Sequence, residues 1–137
     1  MSTNSLQTGI IGAGRIGKVH AETLAFRVPE AEVLSITDLN REAAAQVAGR
    51  CGIPHVADSS DEILADPRIR AVLICSSTDT HADLVGRAAR AGKHVFCEKP
   101  IAHRLSQIDE ALAAVERAGV KLQIGFNRRF DANFARV

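Results

Sequence analysis

Three glycines spaced just after a short apolar run leave a chain few ways to fold. Residues Leu6 to Gly17 read Leu-Gln-Thr-Gly-Ile-Ile-Gly-Ala-Gly-Arg-Ile-Gly. Ile10 and Ile11 enter Gly12-x-Gly14-x-x-Gly17, and Ile16, Val19, Thr23 and Leu24 leave it at helical spacing. The stretch therefore predicts a strand, a glycine turn and a helix with those four residues on its inward side. Gly12 permits the tight turn, Gly14 lets a diphosphate approach backbone amides, and Gly17 lets the helix pack close to the strand. The ligand's charge would then sit at a helix N-terminus, which carries roughly half a positive elementary charge.

A second run, Ala31 to Asp38, is rich in β-formers (Val33, Leu34, Ile36, Thr37) and ends in an acid twenty-one positions after Gly17. A carboxylate there accepts from both hydroxyls of an adenosine ribose and repels a 2′-phosphate, which favours NAD over NADP. Other adenosine-bearing ligands, or a turn and a helix cap with no ligand at all, are the alternatives. Arg15 and Ile16 join the glycines as candidate cofactor contacts; for Arg15 a solvated place in the first helical turn is the plainer reading.

A chain of 137 residues makes one domain, short for an enzyme with separate cofactor and substrate domains. Lys plus Arg number 17 against 16 Asp plus Glu, a net charge of +1 without a long charge run, which argues against nucleic acid and membrane surfaces as partners. The opening Met-Ser-Thr-Asn-Ser-Leu-Gln lacks a basic n-region and an apolar core, and no later run approaches the ~20 residues of a membrane span. A soluble, cytoplasmic protein is expected. Cys51, Cys75 and Cys97 are widely spaced, with neither a disulfide framework nor a zinc pattern, so no metal site is expected. Cys75 and Cys97 end apolar runs, where a thiol serves as a small hydrophobe.

Further along, Asn40 caps a predicted helix to Arg50 that ends at Cys51-Gly52, and His55 to Ala57 forms a short third strand. Ser59-x-x-Glu62 has capping-box spacing before a short helix stopped at Asp66-Pro67. Ala71 to Cys75 is an unbroken apolar run, the pattern of a parallel strand buried on both faces. Thr80-x-x-Asp83 opens a helix closed by Gly92, His94 to Cys97 is the fifth strand, Ser106 caps a helix ending at Gly119, and Val120 to Phe126 is the sixth strand. Six strands alternating with helices predict an α/β fold, a doubly wound parallel sheet of Rossmann type in the order 3-2-1-4-5-6. Ligand belongs at the switch between strands 1 and 4, so the chemistry should lie just past the carboxyl ends of strands 1, 4, 5 and 6.

Two segments there carry chemistry. Ser76, Ser77 and Thr78 offer hydroxyls and amides across the crevice from the glycine turn, with His81 reading as a ribose neighbour rather than a base. Glu98-Lys99-Pro100 ends strand 5. Lys99 can hydrogen-bond a substrate hydroxyl or carbonyl, Glu98 can hold a ribose hydroxyl or pair with Lys99, and a cis Lys99-Pro100 bond would turn the lysine into the cleft. An acid-base pair and a strand-ending proline is the alternative reading.

Together, Gly12-Ala13-Gly14-Arg15-Ile16-Gly17, Ser76-Ser77-Thr78-x-Thr80-His81, Glu98-Lys99-Pro100 and Gly125-Phe126-Asn127-Arg128-Arg129-Phe130 resemble the Gfo/Idh/MocA oxidoreductases. The resemblance implies an NAD-dependent oxidation of a secondary alcohol of an inositol or sugar polyol. It implies that Lys99 touches the substrate oxygen, Glu98 steadies the nicotinamide ribose, Asp38 selects NAD, and Asn127 and Arg128 lie near the nicotinamide. Residues 1–125 would be the dinucleotide-binding domain. Residues 126–137, ending in a helix at Arg136-Val137, would begin the second α/β domain that in this family covers the cofactor, supplies proton-transfer residues and makes a homo-oligomer interface. None of His20, His55, His81, His94 or His103 is therefore a candidate base, and the 137 residues alone are expected to bind cofactor but turn over little. Two rivals remain at this point: a non-catalytic nucleotide-binding module that docks on another chain, and a methyltransferase, which would leave Glu98-Lys99-Pro100 without a role.

Overall fold

A computed structural model describes residues 4–134. Its elements run β1 (Leu6–Ile11), α1 (Arg15–Arg27), β2 (Ala31–Thr37), α2 (Arg41–Cys51), β3 (His55–Val56), α3 (Ser60–Ala65), β4 (Ala71–Ile74), α4 (Thr78–Arg90), β5 (His94–Cys97), α5 (Leu105–Ala118) and β6 (Leu122–Ile124), followed by a 3-10 turn over Asn127–Phe130. The six strands form one sheet in the order β3-β2-β1-β4-β5-β6, all neighbours parallel. This is the predicted doubly wound topology. The expected terminal helix at Arg136-Val137 and the first three residues of the opening segment lie outside the described residues.

Alternation along the strands divides the core between the two faces. Val72, Ile74, Val95 and Cys97 pack with Ile63, Leu84, Val85, Ala88 and Ala111 on one side. Ile10, Ile36 and Leu73 pack with Ala21, Ala44, Val47 and Ala48 of α1 and α2 on the other. Ile10 and Ile36 are wholly buried, each worth roughly 1.5–3 kcal/mol. Past Leu24 the second face opens into a groove floored by Leu73 and Phe96.

Pairing register levels the carboxyl ends of the strands. Ile11 pairs with Thr37 and with Ile74, Ile74 with Cys97, and Cys97 with Ile124. The next residues therefore form a row across the sheet: Asp38, Gly12, Cys75, Glu98 and Gly125. Backbone bonds carry the ladder into that row, from Gly12 N–H to Thr37 O, Cys75 N–H to Ile11 O, Glu98 N–H to Ile74 O and Gly125 N–H to Cys97 O.

Several local expectations change. Ile16 and Val19 of α1 are 39% and 50% exposed, whereas Gly17 and Ala21 are buried. A methyl on Gly17 would stand 2.0 Å from the Gly12 carbonyl oxygen, so only the smallest residues fit where α1 meets β1. Helix α4 begins at Thr78 after Ser77, not at Thr80, and the Thr80 hydroxyl instead donates to Ser77 O. Helix α5 begins at Leu105 with Arg104 before it and no side-chain cap, so Ser106 lies inside the first turn. Ser59 accepts from Glu62 N–H, but Glu62 returns its bond to Asp58 N–H, one residue before the box position. β6 is shorter than predicted at both ends, and past Ile124 the chain tightens toward the 3-10 turn.

Lys93, buried at the entry to β5, donates from Nζ to Asp66 O and Ile69 O, each at 2.7 Å. It ties the α3–β4 connection to the sheet, and its burial pulls its pKa down.

Candidate functional site

The glycine turn lies where β1 feeds α1. Gly12 has φ +108°, and a methyl there would stand 2.5–2.6 Å from the backbone of Cys75 and Ser76, so this position needs glycine for both conformation and space. Gly14 differs: its φ is −73°, and nothing lies within 4 Å of where its Cβ would be. The space over Gly14 is open. It adjoins the N-terminus of the thirteen-residue α1, whose first intrahelical donor is Lys18 N–H to Gly14 O, which leaves the amides of Arg15, Ile16 and Gly17 without helical partners. The side chains of Arg15 and Ile16 are exposed.

Asp38 follows β2 and faces this turn. Its Oδ2 accepts from Ala13 N–H and its Oδ1 from Asn40 N–H, both at 2.7 Å. One carboxylate thus fixes the glycine turn and the start of α2 together, and each oxygen keeps a further lone pair. Gly12, Asp38, Ser76 and Ser77 line a cleft of about 800 Å³, together with Leu39 and Arg41. Leu39 is fully exposed, an apolar side chain beside the Asp38 carboxylate and the right kind of surface for a flat base. Reading for charge and glycine passed over it; its exposure, not its type, marks it. Arg41 is engaged by Asp58.

Not all the expected residues enter that cleft. Thr78 starts α4, while the Ser76 and Thr80 hydroxyls bond each other at 2.7 Å. His81, expected beside a ribose, is 2% exposed, with Nδ1 2.8 Å from Pro100 O and Nε2 2.9 Å from Ser76 O. A neutral ring donates to one of these carbonyls and a protonated ring to both. Either way His81 braces the loops after β4 and β5 against each other and has no free edge for a ligand. Glu98 does not pair with Lys99. Its Oε1 accepts from His20 Nε2 at 2.6 Å, a partner 78 positions away on α1 that no local pattern signals. Lys99 is exposed and precedes a cis peptide bond to Pro100. Arg128, in the 3-10 turn, lays its guanidinium 5.0 Å from the Phe134 ring centroid.

Cys75 and Cys97 lie under the row of strand ends. Burial first, then the nearby Glu98 charge, pushes both thiols up to about 12. The folded state holds these protons more tightly than the unfolded chain. Their contribution to stability is therefore full below the ordinary thiol value and falls away as the pH climbs through about 12. Cys51 is only partly buried. At about pH 8, below the ordinary thiol value of about 8.5, a thiol-specific dye should react readily with Cys51 alone in the folded protein and with all three cysteines after denaturation. Fast reaction of all three without denaturant would mean the sheet ends are open.

Unpaired helix amides, a vacant Cβ direction at Gly14 and a carboxylate one strand away suit a diphosphate flanked by a ribose. Fold and site together define a dinucleotide-binding domain of the doubly wound class. A family model described as "oxidoreductase family, NAD-binding Rossmann fold" (Gfo/Idh/MocA) matches residues 6–126. The chain belongs to this family, as its NAD-binding domain. It is 40% identical over 132 residues to a myo-inositol 2-dehydrogenase of Thermotoga maritima, covering 96% of this chain and 39% of that protein. With an inositol 2-dehydrogenase of Rhizobium meliloti it shares 44% identity over 133 residues, 97% of this chain and 39% of the relative. A solved scyllo-inositol dehydrogenase of Lactobacillus casei, with bound NAD(H) and scyllo-inositol, superposes with TM-score 0.91 at 31% identity, over 96% of this chain and 39% of that one. The chain thus spans about two fifths of the length of these relatives. Among the described residues no helix is long and apolar enough to cross a membrane.

Proposed function

We propose that these residues form the cofactor half of an NAD-dependent dehydrogenase that oxidises a secondary alcohol of an inositol or sugar polyol to a ketone. The relatives named for inositol oxidation support the substrate class. The observation that carries the reading is the open position at Gly14 beside unpaired α1 amides, with Asp38 bonded to the same turn. Bound NAD supplies the hydride acceptor. Gly12, Gly14, Arg15, Ile16 and Gly17 present the main chain to its diphosphate, and Asp38 accepts from the adenosine ribose with Leu39 alongside the base. Ser76 and Ser77 border the far wall. Glu98 belongs to the nicotinamide ribose, and Lys99, exposed at the end of β5, reaches the substrate oxygen. Arg128 belongs to the same end of the cleft. His81 has no part in ligand contact.

With NAD and a polyol, the whole protein should reduce the cofactor, followed by the absorbance of reduced nicotinamide, while residues 1–137 alone bind NAD without turnover. Turnover by the 137 residues alone would contradict this division of labour. For the ribose role, Asp38→Ala should weaken NAD by about 1–3 kcal/mol more than NADP, the worth of charge-assisted hydrogen bonds. Because Asp38 also holds Ala13 N–H, both cofactors should lose some affinity through the turn. The ratio of the two affinities is the diagnostic quantity, and an unchanged ratio would remove Asp38 from the ribose.

A further inference from the structure

The row of strand ends places two carboxylates on either side of the glycine turn. Asp38 follows β2, one strand from Gly12, and Glu98 follows β5, two strands away on the opposite side. At the spacing of neighbouring strands they stand about 14 Å apart along the row. A dinucleotide has the same layout, a diphosphate with a ribose on each side. Asp38 is steadied by two backbone amides, so a matching role for Glu98 calls for something to hold its carboxylate.

That group is His20. Its Nε2 donates to Glu98 Oε1 at 2.6 Å, with side chains only 23% and 15% exposed. The imidazole is itself fixed by α1 and by an edge-on contact with Phe96, centroids 5.0 Å apart at 65°. On the other side the carboxylate faces Gly125, where any side chain would crowd it: a methyl there would come within 3.0–3.1 Å of the carboxylate. Among the described residues nothing donates to Oε2. We propose that His20 is a positioning residue for cofactor binding: by occupying Oε1 it orients Glu98 so that Oε2 accepts from the hydroxyls of the nicotinamide ribose. This rests on the reading that the turn takes the diphosphate of NAD.

The test compares three ligands by calorimetry on the whole protein: NAD, ADP-ribose, which keeps the second ribose, and ADP, which lacks it. His20→Leu should weaken NAD and ADP-ribose about tenfold and leave ADP unchanged, as expected for one charge-assisted hydrogen bond no longer orienting its acceptor. His20→Gln, which retains an N–H at similar reach, should recover most of the loss. Equal weakening of ADP would show that His20 acts only by supporting α1 and its turn, and unchanged NAD affinity in His20→Leu would remove it from cofactor binding altogether; either result overturns the proposal. Failure of the unaltered protein to bind NAD would overturn the functional reading beneath it.

Discussion

Gly17→Ala should cost the domain more than about 3 kcal/mol, the upper range for forcing atoms into a packed site. The added methyl would stand 2.0 Å from the Gly12 carbonyl oxygen and 2.8 Å from its carbon, both backbone atoms of a turn with little freedom. Relief requires α1 to lift from β1, which would also uncover Ala21 and the apolar residues beneath it. A urea melt measures the loss. A variant as stable as the unaltered protein would mean the helix is not seated as described.

Gly14→Ala should do the reverse. With nothing within 4 Å of the new methyl and an extended backbone at φ −73°, the fold should tolerate it with a change of about 1 kcal/mol or less. NAD affinity should fall about 10- to 100-fold, because the methyl occupies the space through which the diphosphate approaches the α1 amides. Calorimetry and a melt on the same sample separate the two effects. Undiminished affinity would mean the diphosphate lies elsewhere. The pair of variants tests one motif in which neighbouring glycines serve different ends, one for the chain and one for the ligand.

How much of this was legible in the residues follows from the range of the interactions. Unbroken apolar runs such as Ala71 to Ile74 betray buried parallel strands, and glycine or asparagine at helix ends marks local geometry, so Asn40, which caps α2, and Gly52 and Gly119, both left-handed, fell into place. The starts of α4 and α5 did not, because Ser77 and Arg104 make no side-chain capping bond there. On α1, Leu24 packs inward as its spacing predicts but Ile16 and Val19 do not, for a different reason. Size usually tracks burial, but a helix pressed against a strand buries its smallest residues and leaves Ile16 and Val19 outside. Gly12, Asp38 and Ser76 could be assigned to one crevice because the order of strands dictates it. The fate of His81 and the partner of Glu98 could not, since both are set by contacts between loops and helices far apart in sequence.

The bond from Ala13 N–H to Asp38 has a consequence for anyone wishing to retune this protein toward the phosphorylated cofactor. Exchanging the acid for a neutral or basic residue removes more than repulsion; it strips an acceptor from the peptide that shapes the glycine turn. A successful redesign therefore needs a replacement acceptor for that amide, such as a serine hydroxyl, alongside any new cation. Swapping charge alone should yield a protein indifferent to both cofactors rather than one that has changed its preference.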